Sequence, residues 1–155
     1  MLTFSAILVV LPAVTAHDPP WDVPTYAYIE AFPNPIGQGQ TLYLMAWLDK
    51  FPPTAQGGYG DRWHDLTVTV WKPDDSTEVL GPHTSDPVGT IFLIYTPSMV
   101  GTYQFQFDFP GQILAGDNPH PLETYGQASI GDYFMPSTSE KLSVTVQQDP
   151  ITPAV

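Results

Sequence analysis

The stretch 102–109, Thr-Tyr-Gln-Phe-Gln-Phe-Asp-Phe, constrains this chain more than any other. In an extended strand successive side chains point to opposite faces, so Tyr103, Phe105, Phe107 and Phe109 share one side and the polar residues share the other. A helical winding would scatter those rings around the axis, whereas a strand concentrates them and demands a second layer to cover them. The same period of two recurs at 66–71, where Leu66, Val68 and Val70 alternate with Thr67, Thr69 and Trp71. It recurs again at 141–147, with Leu142, Val144 and Val146 inward. Residues 25–32, 40–48, 77–80 and 90–96 read as further strands, and 40–48, apolar at most positions, reads as a central one. No segment after residue 16 sustains a helical period. Turns separate the strands at 33–39 and 72–76, where Pro presets φ and Asp and Ser bond the local backbone. The expectation is an all-β, antiparallel sandwich of seven or eight strands over residues 17–148.

Two segments break the regular spacing: 52–64, and a Gly-, Pro- and Asp-rich excursion over 110–140. Connections longer than ~12–15 residues are uncommon unless they carry function or are disordered. Tyr59, Trp63, Tyr125, Tyr133 and Phe134 lie in them, and two readings stand. Exposed, these rings would stack on a sugar or anchor a protein partner; folded back, they would form a satellite core under the loops. Asp61, His64 and Asp65 follow Gly57-Gly58-Tyr59-Gly60, while Asp108, Asp117 and Asp132 flank or lie in the second segment. Loop carboxylates and carbonyls are the ligands a weak extracellular Ca²⁺ site uses. The same acids equally serve as turn caps and solubilising charge, or Asp61 pairs with Arg62. Apart from that Ca²⁺ no cofactor is expected. Trp21, after two prolines, reads as a plug for one end of the core.

Residues 1–16 form an apolar run with Val14 and Ala16 at the −3 and −1 positions of a signal-peptidase site, which makes His17 the first residue of an exported chain. The run has no Lys or Arg, so a retained and packed apolar segment is the alternative. It is shorter than the ~20 residues of a transmembrane helix and contains Pro12. Residues 149–155 read as a linker-like tail. With no cysteine, thiolate metal sites and cysteine nucleophiles are excluded, and the domain must be held by its core. Sixteen acidic residues against four basic ones (Lys50, Arg62, Lys72, Lys141) give a net charge of −12, which excludes phosphate backbones and anionic lipid surfaces as partners. No Asn-x-Ser/Thr sequon occurs, so N-glycosylation is not expected.

Catalysis is not expected either. His17, His64, His83 and His120 are the only histidine bases, and no Gly-x-Ser-x-Gly elbow accompanies them. Taken together, PNPIGQGQTLYLMAWLDK (33–50), DLTVTVWKPDDSTEVLGP (65–82) and TPSMVGTYQFQFDFPGQ (96–112) resemble an immunoglobulin-like module. More narrowly they resemble the N-terminal region of secreted archaeal surface proteins, some of which carry a PQQ-type β-propeller downstream. The resemblance implies an immunoglobulin-like sandwich, a tyrosine-corner role for Tyr103 after Gly101, and no catalytic residue. The expected function is a non-catalytic binding or structural module, secreted to the extracellular space or cell envelope. It would act through loop or edge-strand contacts on a protein partner, a second copy or a carbohydrate. The edges at 25–32 and 141–147 are the candidates for accepting a neighbour's strand. Two alternatives are a filament subunit assembled by strand complementation and an accessory domain of a larger propeller protein.

Overall fold

Alternating sequence becomes paired strands in the computed structural model, which describes residues 16–122 and 125–152. In chain order these strands are β1 (Asp22–Val23), β2 (Ala27–Phe32), β3 (Ile36–Gly37), β4 (Leu42–Leu48), β5 (Leu66–Trp71) and β6 (Thr77–His83). They continue with β7 (Thr90–Tyr95), β8 (Gly101–Phe109), β9 (Gln112–Ile113), β10 (Tyr133–Phe134), β11 (Ser137–Thr138) and β12 (Leu142–Gln147). One 3₁₀ turn, Gln127–Ser129, precedes β10. The expectations for 1–15 and 153–155 lie outside the described residues. Among the described residues no helix is long and apolar enough to cross a membrane.

Three strands, β2-β4-β7, make one antiparallel sheet. The other main sheet runs β3-β12-β8-β5-β6, with β11 on the end of β8, and β1-β10-β9 form a third, small one. The inward positions of both main sheets join one core: Leu42, Leu44, Ala46 and Leu48 from β4, with Ile29 and Ile91, against Leu66, Val68, Val70, Val144, Val146 and the four rings of β8. Tyr95 of β7 bridges the layers, meeting Tyr103 and Phe105 edge-on at 5.9 and 5.4 Å. Each fully buried aromatic ring contributes ~1.5–3 kcal/mol through lost water contact, so the Tyr/Phe alternation of β8 is the strongest single determinant of this packing. The Tyr103 hydroxyl accepts the Met99 backbone N–H at 3.1 Å, tying the start of β8 to the turn before it.

Three features differ from the sequence expectation. First, β6 runs on through Pro82 to His83, because β6 is an edge strand where a missing N–H is tolerated and the pairing with β5 bulges between Leu66 and Val68. Second, the edge expected at 141–147 is taken. β3 crosses from the β2 side to run parallel to β12, pairing Ile36 with Val146 and Gly37 with Gln147. Beyond β3, Asn34 stands in for a strand: its Nδ2 donates to Ser143 O at 3.0 Å and its Oδ1 accepts Thr145 N–H at 3.1 Å. Third, the 110–140 excursion is pinned by β9, β10 and β11, whose two-residue lengths carry no readable period.

Candidate functional site

The first insertion is organised by Asp61 and Arg62, and not as an ion pair. The Arg62 guanidinium donates to the carbonyls of Tyr59, Gly60, Asp61 and Gly57, drawing the glycine-rich turn around itself. The Asp61 carboxylate is buried at 2% exposure and accepts four donors. These are the Thr54 hydroxyl at 2.5 Å and the backbone N–H groups of Ala115, Gly116 and Asp117 at 3.2, 3.0 and 3.3 Å. It thereby fastens the second insertion to the first. His64 is exposed, its Nδ1 3.2 Å from the Thr84 hydroxyl, and Asp65 is exposed with a left-handed backbone at φ 57. The expected Ca²⁺ set Asp61, His64 and Asp65 is therefore not a ligand cluster, since the one buried carboxylate spends its oxygens on loop donors. Among the described residues no group of three or more His, Asp or Glu side chains is arranged to hold a metal ion.

The five ring candidates divide. Trp63 and Phe134 are core: the Trp63 ring is 5.4 Å from Phe109 and 4.8 Å from Phe134, and its Nε1–H donates to Lys50 O at 2.9 Å. They have no surface to offer a ligand. Tyr59, Tyr125 and Tyr133 are exposed. Tyr59 meets His120 edge-on at 4.7 Å, and Tyr133 sits on β10 opposite Asp22. Among the described residues no ring contact joins the three.

A larger apolar surface lies elsewhere. The outward positions of the three-stranded sheet are Tyr28, Glu30 and Phe32 on β2, Tyr43, Met45 and Trp47 on β4, and Thr90, Phe92 and Ile94 on β7. Register places Tyr28 beside Trp47, Phe32 beside Tyr43, Tyr43 beside Ile94 and Met45 beside Phe92. Tyr28 stacks with Trp47 at 5.6 Å and Phe32 with Tyr43 at 5.8 Å. Phe92 and Ile94 are 65% and 70% exposed. An antiparallel sheet with one wet face normally turns polar residues to water; here Glu30 is the one charge among nine outward positions. Contiguous apolar faces of this kind mark interaction sites. Among the described residues β7 also pairs with β4 alone, and it carries neither charge nor proline to guard that edge. The sequence signal was the run at 40–48, apolar on both faces and central in its sheet. The Tyr95 hydroxyl at the end of β7 donates to Glu78 at 3.4 Å. Burial first, then the Glu78 charge, pushes this phenol well above its usual range.

A cavity of about 410 Å³ opens beside the small sheet, lined by His17, Trp21, Asp49, Lys50, Phe51 and Asp132 among others. Asp132, 1% exposed, accepts His17 Nδ1–H and Trp21 N–H, each at 2.8 Å. Trp21 is not a plug: it is 58% exposed and lies flat on the His17 imidazole, centroids 3.5 Å apart at 5°. Sequence reasoning missed this group because His17 and Asp132 are 115 positions apart. Compared with protein-family models, curated proteins and solved structures, the chain matches none of them.

Proposed function

We propose that this chain is a non-catalytic, immunoglobulin-like binding module of the cell exterior that docks through the outer face of β2-β4-β7 and the adjoining edge of β7. The sandwich reading is supported by a three-stranded sheet over β3-β12-β8-β5-β6, by the crossing of β3 to run parallel to the last strand, and by the Tyr103 hydroxyl bonded four residues back. Export is supported by the apolar 1–16 run with its −3 and −1 small residues.

The observation that carries the function is the face of exposed Tyr28, Phe32, Tyr43, Phe92 and Ile94 around half-buried Trp47. Its occupant is a second protein with an apolar patch and a basic border, because a chain of net charge −12 repels acidic surfaces and attracts cationic ones. A photo-cross-linking residue at Phe92 in the producing cells tests this, with the same residue at Val79 on β6 as control. A discrete adduct from position 92 alone supports the reading, and equal labelling from both positions refutes it. An adduct of two copies would favour the filament alternative, for which the edge of β7, unpaired among the described residues, is the specific support. The likeness to N-terminal regions of archaeal surface proteins supports a place as a spacer that brings this face to its partner.

A further inference from the structure

We propose that His17, freed as the first residue of the exported chain, forms with Asp132 a binding site for a divalent copper ion. The proposal rests on the export reading, since only cleavage after Ala16 turns the His17 backbone nitrogen into a primary amine. An N-terminal histidine offers that amine and its own Nδ1 as the two ends of a six-membered chelate ring. The fold holds both in place. The His17 nitrogen already donates to Ala128 O at 3.1 Å, and a metal-bound amine keeps two protons, one of which maintains that bond. The imidazole is clamped by the flat stack of Trp21. Trp21 N–H occupies Asp132 Oδ1, which aims Oδ2 at His17 Nδ1 across 2.8 Å. Two ligands ~2.0 Å from one metal at right angles are separated by about 2.8 Å, so Nδ1 and Oδ2 already span one edge of a planar site.

The donor set selects the ion. Two nitrogens and one carboxylate oxygen, with further positions open to water in the cavity, suit the tetragonal preference of Cu²⁺ and its place at the top of the divalent affinity order. Ca²⁺, which takes six to eight oxygens, finds two carboxylates lining the cavity, and Asp49 is already paired with Lys50. Binding releases to solvent the proton on Nδ1 and any proton the amine carries beyond two. The third donor is the backbone amine, so the site uses only two ligating side chains, His17 and Asp132.

Length alone does not separate this arrangement from an imidazole–carboxylate hydrogen bond, and blocking the amine does. The intact mass of the exported protein first establishes whether it begins at His17. The chain beginning at His17, released by a protease cutting before it, and the same chain with its His17 amine acetylated are then titrated with Cu²⁺ and examined by electron paramagnetic resonance. Stoichiometric binding with coupling to two nitrogens, lost when the His17 amine is acetylated and weakened roughly 10–100-fold in Asp132→Asn, is the expected result. Asparagine keeps the acceptor for Trp21 N–H, so that variant retains the local fold. Equal binding by both chains, or no stoichiometric binding by either, overturns the copper site and leaves the export reading standing. A native mass that begins elsewhere than His17 overturns the export reading at this residue, and the site with it.

Discussion

Replacing Asp61 by alanine isolates the contact on which both insertions depend. Its carboxylate accepts the Thr54 hydroxyl at 2.5 Å and Gly116 N–H at 3.0 Å, with Ala115 and Asp117 N–H at 3.2 and 3.3 Å. Hydrogen bonds to a charged acceptor contribute ~1.5–3 kcal/mol each, and the two longer ones sit near the limit of useful geometry. Counting only the two short bonds at the low end gives a loss of about 3 kcal/mol, comparable with breaking other buried charged contacts. In a domain of this size that lowers Tm by about 10 °C. Thermal melting and urea titration of the native and Asp61→Ala chains measure it, and limited proteolysis within 111–131 reads the release of the second insertion. A loss under about 1 kcal/mol would refute the reasoning, because water would then be satisfying the three N–H groups as well as Asp61 does. Added Ca²⁺ leaves both midpoints unchanged if Asp61 is a latch; a rise in the native chain alone would make it a ligand.

Three further outcomes follow from the same contacts. Trp63→Ala empties a fully buried ring site and orphans Lys50 O, so a urea titration should show a loss of ~3–5 kcal/mol, at the top of the range for core truncations. Asn34→Ala removes both bonds that cover the outer edge of β12 and should cost about 1 kcal/mol while raising aggregation on light scattering, since the bared edge becomes a template. The Tyr95 phenol is held neutral in the fold above its ordinary pKa by burial and then by Glu78. Its raised folded value contributes stability that is complete below the unfolded value of ~10 and is lost as pH rises above it. Comparing melts of the native chain and Tyr95→Phe between pH 8 and pH 11 should show the native chain losing more; parallel curves would contradict this.

Alternation at 66–71, 102–109 and 141–147 named the inward residues of β5, β8 and β12 almost one for one, because a strand's side-chain period is local and survives in one dimension. The same logic placed β2, β4 and β7 to within a few residues. It fell short where apolar residues occupied both faces of a strand: 40–48 is central in its sheet, as its pattern implied, yet Tyr43 on its outer side stays exposed. It fell short again in the insertions, where a ring's fate depends on what lies across a gap. Trp63 is buried by Phe109 and Phe134, 46 and 71 positions onward, while Tyr125 stays in water.

By itself, then, the sequence determined the strand period, the all-β class, the core rings of β8 and the acidic, thiol-free chemistry of the chain. Tertiary structure alone decided that Asp61 is a latch, that Asn34 closes the β12 edge, and that His17 meets Asp132. Apart from Thr54 on Asp61, those contacts join residues 54 to 115 positions apart, and no periodicity in a chain encodes which distant group will arrive at a given side chain. Packing chooses the partners, because a buried polar group left without one costs more than the loop entropy spent to bring one to it.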